Sequence, residues 1–437
     1  MKVIRFDEPG YEEALAALDR RAEASAAVRE VVTSVVDAIR ERGDAALLEF
    51  TAKFDGVQLS VDGLRVSQAE LDEAWIAAGS AETAPGGLTM QQALEASHRN
   101  VFEFARRSLR QDWSMTNEQG AEVGEVFHPF QRVGVYVPGG TAPLVSTAMM
   151  TVTLAAAAGV PEIVVCTPCG RDGTVNAALL AALKLAGATE VYKVGGAQAI
   201  AAMAFGTATI RPVAKIFGPG NSYVVEAKRQ TFGVVSIDLL PGPSEVMILA
   251  DRSGDARMLA ADVLAQAEHG KDSQAGFVTD DAALLEAVMA EVERQAETLS
   301  RQAMLRPVLD KGVFFILAPS LMAGADLVNA YAPEHLCLVV EDEASVLARI
   351  RTAGAIFLGN ASPVAVGDFL AGPSHTLPTG GAGKSFPGLT ADMFQRRTSI
   401  IRLSRESCEK SEPIVSAFAA MEGLDAHGNS VSVRVSG

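Results

Sequence analysis

Between Glu12 and about Ser60 the apolar residues Leu15, Leu18, Val28, Val31, Val35, Ile39, Leu47, Leu48 and Phe50 recur mostly three or four positions apart. That period puts them on one face of a helix, so the stretch is predicted to form amphipathic helices, punctuated at Arg42-Gly43-Asp44. A second helical region is predicted from Ser67 to Arg107, and the polar stretch from Asp112 to Gln131 reads as turns and an excursion. From Arg132 the pattern changes. Short β-branched runs alternate with Ala/Leu-rich helices about every 25 to 30 residues, the spacing of βαβ units. The predicted strands are Val133 to Val137, Ile163 to Cys166, Val191 to Val194, Lys215 to Phe217, Val234 to Asp238, Val246 to Ala250, Gly276 to Thr279, Val313 to Leu317, Leu336 to Val340 and Ala355 to Leu358. So many parallel strands overfill one compact sheet, so two doubly wound units are expected, hinged at Leu239-Leu240-Pro241-Gly242-Pro243-Ser244. After Pro387 no strand is predicted, only helix, a connector and a tail from Ser430 to Gly437.

At 437 residues, 49% hydrophobic and 21% charged, the chain can bury more than one core. Its net charge of -16 repels phosphate backbones and anionic lipid, which disfavours nucleic-acid and membrane-surface partners and leaves small molecules. The uncharged stretch between Arg132 and Glu162 is broken by Pro138-Gly139-Gly140 and Pro143 and is rich in Ala, Thr and Ser. It reads as buried strand, turn and buried helix rather than a membrane span. The opening Met1-Lys2-Val3-Ile4-Arg5-Phe6-Asp7-Glu8 has acidic residues and no apolar run, so no signal peptide is expected and the cytoplasm is the expected compartment. Four cysteines make no disulfide framework. The single C-x-x-C, Cys166-Thr167-Pro168-Cys169, lacks the second pair of a zinc knuckle and leaves buried thiols or a redox pair open.

Candidate chemistry then enters at the strand ends. Three glycine turns follow predicted strands and open helices: Tyr136-Val137-Pro138-Gly139-Gly140, Val194-Gly195-Gly196-Ala197-Gln198 and Phe217-Gly218-Pro219-Gly220-Asn221. Glycines there let backbone N–H groups approach phosphates, which favours a nucleotide or dinucleotide, although none is a G-x-G-x-x-G with its acidic partner. Gly380-Gly381-Ala382-Gly383-Lys384-Ser385 fails as a P-loop because Pro378 stands where the first glycine must be. Gln266 and His269 leave the same face of a predicted helix end, where they could hold a metal or, for His269, merely oppose the helix dipole. Pro333 suits the first position of a short helix, which would set Glu334 and His335 beside one cleft for acid/base work; a helix-start Glu before a half-buried His is the alternative. Asp368, His375 and His427 complete an oxygen/nitrogen set without sulfur, suited to zinc or manganese.

Seven motifs stand in order: Gly195-Gly196-Ala197-Gln198-Ala199, Gly218-Pro219-Gly220-Asn221, Pro241-Gly242-Pro243-Ser244-Glu245, Gln266-Ala267-Glu268-His269, Ala332-Pro333-Glu334-His335-Leu336, Gly367-Asp368 and Glu422-Gly423-Leu424-Asp425-Ala426-His427. Together, over roughly Ala24 to Arg434, they resemble the histidinol dehydrogenases. The resemblance implies NAD-dependent, zinc-containing oxidation of L-histidinol through the aldehyde to L-histidine, with one zinc ion per subunit. It implies Gln266, His269, Asp368 and His427 as metal ligands, His335 and Glu334 as catalytic bases, and Ser244, His375 and Glu422, with His335 and the ligands, as substrate-binding. Tyr136, Gln198 and Asn221 would touch NAD.

The implied fold is α/β, with two incomplete Rossmann-like domains, a helical N-terminal arm (1–24) and a C-terminal extension (387–437). The first domain would combine 25–134 with 245–386, and the second, 135–244, would carry the NAD loops. The implied assembly is a homodimer whose tail reaches the partner's site, so that His427 acts in trans. Pro241, Val364 and Gly383-Lys384-Ser385-Phe386 depart from the family's usual residues. They leave a paralogue acting on another amino alcohol or diol, such as sulfopropanediol, as the alternative.

Overall fold

The computed structural model describes residues 1–20, 24–80, 87–139 and 143–436. In chain order its strands are β1 (Lys2–Arg5), β2 (Trp113–Thr116), β3 (Glu122–Pro129), β4 (Arg132–Tyr136), β5 (Glu162–Thr167), β6 (Glu190–Lys193), β7 (Lys215–Phe217), β8 (Ser236–Ile237), β9 (Glu245–Ala250), β10 (Gln274–Thr279), β11 (Val313–Leu317), β12 (His335–Val339), β13 (Ala355–Leu358) and β14 (Gln395–Arg402). All the predicted strands are present with small shifts at their ends. They form two parallel sheets, ordered β6-β5-β4-β7-β8 and β1-β11-β10-β9-β12-β13. In each unit the first strand, β4 or β9, lies in the middle, the next two extend to one side and the last two to the other. That is the doubly wound order, with its switch point between β4 and β7 and again between β9 and β12.

Continuous apolar runs suit strands covered on both faces. Along β5, Ile163 and Val165 enter one core while Val164 and Cys166 enter the core on the opposite face. The six-stranded sheet is likewise covered on two sides, Ile248 on one and Met247 and Leu249 on the other. Helix Ala26–Arg42 buries Val32, Val35, Val36 and Ile39 against the five-stranded sheet, and helices Gln68–Ser80 and Met90–Arg107 cover that sheet's other face. This packing groups residues 26–107 with the five-stranded unit, whereas the expected division placed 25–134 with 245–386. The N-terminal arm contributes β1 as well as helix Tyr11–Ala16, and Leu15 and Leu18 pack onto the six-stranded unit.

Two local expectations are corrected. Helix Leu321–Tyr331 ends at Ala332, which takes the left-handed conformation (φ 54°), and the chain then runs extended so that His335 opens β12; no helix begins at Pro333. The stretch after Pro387 does contain a strand, since β14 pairs antiparallel with β3, which also pairs with β2. Residues 112–131 are therefore a hairpin rather than loose turns. Beyond β14 the tail is a helical hairpin, Arg405–Glu422 and Asp425–Val435.

At the amino ends of β4 to β6, Arg132 is nearly buried and donates to Glu162 at 2.8 Å and to both oxygens of Glu190 at 2.7 and 3.0 Å. Those hydrogen bonds hold the Glu190 carboxyl far below its ordinary 4.5, at about 2. A depressed folded-state value contributes stability above the unfolded value, and that contribution disappears as pH falls from about 4.5 to about 2. Urea titrations are expected to show stability falling across that window. Arg132→Met should remove this pH dependence at a cost on the order of 3 kcal/mol at neutral pH, as breaking a buried pair does.

Candidate active site

Asp368 sits among three imidazoles. His269 Nε2 lies 3.9 Å from its Oδ2, and His335 Nε2 and His375 Nδ1 each lie 3.8 Å from its Oδ1. Four separate segments converge here: Asp368 on the short helix Val364–Phe369, His269 just beyond helix Ala256–Ala267, His335 at the start of β12, and His375 in the loop that follows. The cluster is at the amino ends of β9 and β12, opposite the edge at which an open α/β sheet ordinarily binds ligands.

Gln266 is 3% exposed, and among the described residues neither its Oε1 nor its Nε2 has a hydrogen-bond partner. Leaving a buried carboxamide unpaired costs about 1–3 kcal/mol, so folding gives no reason for it and a ligand does. One turn later His269 faces Asp368 rather than only the helix end. Carboxamide, imidazole and carboxylate are an oxygen/nitrogen set that zinc accepts. Among the described residues of one chain, no group of three or more His, Cys, Asp or Glu side chains is arranged to hold a cation. His427 is exposed on helix Asp425–Val435 and its side chain bonds to no described residue of its own chain; Glu422, at the end of the preceding helix, is exposed too.

Glu334 and His335 have opposite electrostatic characters. The His335 Nδ1 lies 3.2 Å from the Glu245 carbonyl oxygen, which can only accept, so Nδ1 carries the proton and Nε2 keeps its lone pair toward Asp368. Burial depresses the His335 pKa and keeps the imidazole neutral at pH 7. Burial pushes the Glu334 carboxyl well above the usual range, against hydrogen bonds from Ser244 Oγ (2.8 Å) and the Glu245 N–H (2.9 Å). His375 is driven down to about 4 by burial; its Nδ1 reaches the Asp368 carbonyl at 3.1 Å, and its Nε2 lies 3.5 Å from Thr147 Oγ1.

The segment from Asp368 to Thr376 is sewn to the five-stranded unit. Ser97 Oγ donates to the Phe369 carbonyl at 2.6 Å, Asn100 Nδ2 to the Leu370 carbonyl at 3.0 Å, and Ser374 Oγ to the Met150 carbonyl at 2.8 Å. Sequence reasoning missed Ser97, Asn100 and Thr147, because a hydroxyl or amide on a helix carries no local sign of a contact so distant along the chain.

The glycine turns lie at the carboxyl ends of β4, β6 and β7; Gly140 is outside the described residues. Three of their N–H groups are engaged within the protein. Gly196 donates to the Tyr136 hydroxyl at 3.1 Å, Gly218 to Asp238 Oδ2 at 2.8 Å, and the Gly195 N–H bonds Asp55. Glycine is required here by loop-to-loop contact: Gly218 has φ 106°, and a Cβ there would collide with the Tyr136 carbonyl oxygen. Tyr136 and Gln198 are buried, with Gln198 Nε2 3.4 Å from Asp55 Oδ2. Asn221 caps helix Ser222–Thr231 by accepting from the N–H groups of Tyr223 (3.1 Å) and Val224 (3.2 Å).

The histidinol dehydrogenase family model matches residues 18–435. A histidinol dehydrogenase from Syntrophotalea carbinolica is 42% identical over 436 residues, covering 100% of this chain and 99% of its own. One from Geobacillus kaustophilus is 44% identical over 407 residues, covering 93% and 94%. The crystal structure of histidinol dehydrogenase from Elizabethkingia anophelis superposes with a TM-score of 0.93 at 33% identity, covering 100% of this chain and 98% of that one.

Proposed function

The chain belongs to the histidinol dehydrogenase family and is an oxidoreductase, and from that premise we propose that it oxidises L-histidinol through L-histidinaldehyde to L-histidine. The reaction would use two NAD and one zinc ion per subunit. The observation that carries this reading is Asp368 set against His269 and His335, beside the buried, unpaired amide of Gln266.

Gln266, His269 and Asp368 would hold the metal, with His427 of the partner subunit as the fourth ligand. Bound there, zinc supplies a positive anchor for the amine and imidazole of the amino alcohol. Bound NAD would supply the hydride acceptor; His335 would take the alcohol proton on Nε2, and the positive charge that develops on the ring would be opposed by Asp368 at 3.8 Å. Glu334, fixed through one oxygen by Ser244 and the Glu245 N–H, takes a proton from the water that adds to the aldehyde. Both bases are buried, which shields the aldehyde from bulk water. Ser244, His375 and Glu422 would hold the substrate, and Tyr136, Gln198 and Asn221 would line the NAD subsite.

A homodimer fits the C-terminal hairpin. Ile414, Phe418 and Met421 are 48%, 57% and 71% exposed at successive turns of one helix face, an apolar stripe beside Glu422 and His427 that a second copy would cover. No described helix is long and apolar enough to cross a membrane, and the cytoplasm is the proposed compartment. The direct test is stoichiometry with histidinol as sole substrate: two NADH per histidinol supports the assignment, and no NADH would return the diol alternative.

Gln266→Leu gives a second check. Replacing an unpaired buried amide with an apolar side chain should stabilise the metal-free protein by about 1–2 kcal/mol while abolishing zinc retention. Melting curves with and without zinc, together with metal content, read both effects; a destabilised metal-free variant would mean the amide serves the fold.

A further inference from the structure

One residue touches both bases, and the reaction scheme gives a role to its backbone but none to its side chain. Through its backbone, Glu245 donates its N–H to Glu334 Oε2 at 2.9 Å and offers its carbonyl to His335 Nδ1 at 3.2 Å. The first contact fixes the carboxylate, and the second selects the tautomer that leaves Nε2 basic. Rotation of this one short stretch of backbone would disturb both.

The Glu245 side chain is anchored on the opposite side. It is only 2% exposed. Its Oε1 accepts from the Gly380 N–H at 2.8 Å, and its Oε2 accepts two donors of Arg20, with Nε at 2.6 Å. Arg20 also donates to the Tyr331 carbonyl at 3.2 Å, and its guanidinium carbon sits 3.2 Å from the centre of the Tyr331 ring. Arg20 belongs to the N-terminal arm, whose β1 is the edge strand of the six-stranded sheet and pairs with β11. A buried ion pair contributes little net stability compared with apolar packing, so stability alone does not account for this tether.

We propose that Glu245 is the positioning residue for Glu334 and His335 and that Arg20 holds it in register, which makes the N-terminal arm part of the catalytic apparatus. This rests on the roles proposed above for the two bases.

The test uses the zinc-loaded full-length enzyme and four variants: Arg20→Lys, Arg20→Ala, Glu245→Gln and the double variant Arg20→Ala/Glu245→Gln. In Arg20→Ala, kcat is expected to fall roughly 10- to 100-fold, the effect of misplacing reacting groups by about an ångström, with KM for histidinol and zinc content within about twofold of wild type. Arg20→Lys should restore much of that loss by keeping the charge. The double variant removes the uncompensated buried carboxylate, so its melting temperature should recover while kcat stays low. Two results would overturn the inference: wild-type kcat in folded Arg20→Ala, or kcat returning together with melting temperature in the double variant. Glu334→Gln and His335→Asn, measured alongside, separate the two levels. Wild-type kcat in His335→Asn or two NADH per histidinol in Glu334→Gln refutes the roles on which the inference rests, whereas loss of kcat in the first and of the second NADH in the other, beside a fully active Arg20→Ala, refutes the inference alone.

Discussion

His335→Asn is expected to lower kcat by about a thousandfold, within the range that a positioned general base contributes. Asparagine can still donate to the Glu245 carbonyl and keeps most of the packing of a residue that is 2% exposed. It has no lone pair on nitrogen to accept the alcohol proton, so histidinol and zinc should still bind, and isothermal titration beside steady-state rates would show binding without turnover. Glu334→Gln should act later in the sequence. The carboxamide oxygen can still accept from Ser244 and the Glu245 N–H, so the first oxidation proceeds, but nothing activates water. NADH yield should then drop toward one per histidinol, with aldehyde recoverable by a carbonyl trap. Unchanged kcat in the first variant, or an undiminished two NADH in the second, would remove these residues from the mechanism.

Co-producing two inactive chains should restore activity. A chain carrying His335→Asn keeps a good tail, and a chain carrying His427→Asn keeps a good cleft. If each site is built from one chain's cleft and the other's tail, a mixed dimer holds one site with both defects and one intact site. A statistical mixture should therefore recover roughly a quarter of wild-type activity, because half the dimers are mixed and half their sites are whole. Zinc content should fall only to about half, because a site with the His335→Asn cleft and an intact tail still loads metal. The exposed stripe of Ile414, Phe418 and Met421 is the physical reason to expect the exchange. Zero recovery from purified mixed dimers would place His427 in its own chain's site, and activity in the His427→Asn chain alone would place it outside any site.

The strands of both parallel sheets were legible because each is buried on two faces, which forces uninterrupted apolar runs such as Val246 to Ala250. The strands that escaped notice face solvent on one side or both. β2 is exposed along its length, and β14, Gln395–Arg402, is largely polar and finds its partner in β3 far back in the sequence. Pro333 misled because its fixed φ suits a helix start, yet Ala332 in the left-handed region had already turned the chain toward β12. Of the proposed site, Gln266, His269, Glu334, His335, Asp368 and His375 announced themselves by residue type near turn signals. Glu245 did not, since an acid opening an apolar strand reads as an ordinary solvated end. Arg20 had no local signal either, because its partner lies across the fold.

The seam of Ser97, Asn100, Thr147 and Met150 with the segment around Asp368 has a thermodynamic consequence. Asp368 is bonded in sequence to one unit but hangs, through its neighbours Phe369 and Leu370, on a helix of the other. On the proposed function, a shift of that helix on dinucleotide binding would be felt at the proposed metal site, and by linkage the metal would then change dinucleotide affinity by the same factor. Loading order then becomes a property of the enzyme: chains stripped of metal would respond differently to NAD, and saturating NAD would alter the rate at which a chelator strips the metal.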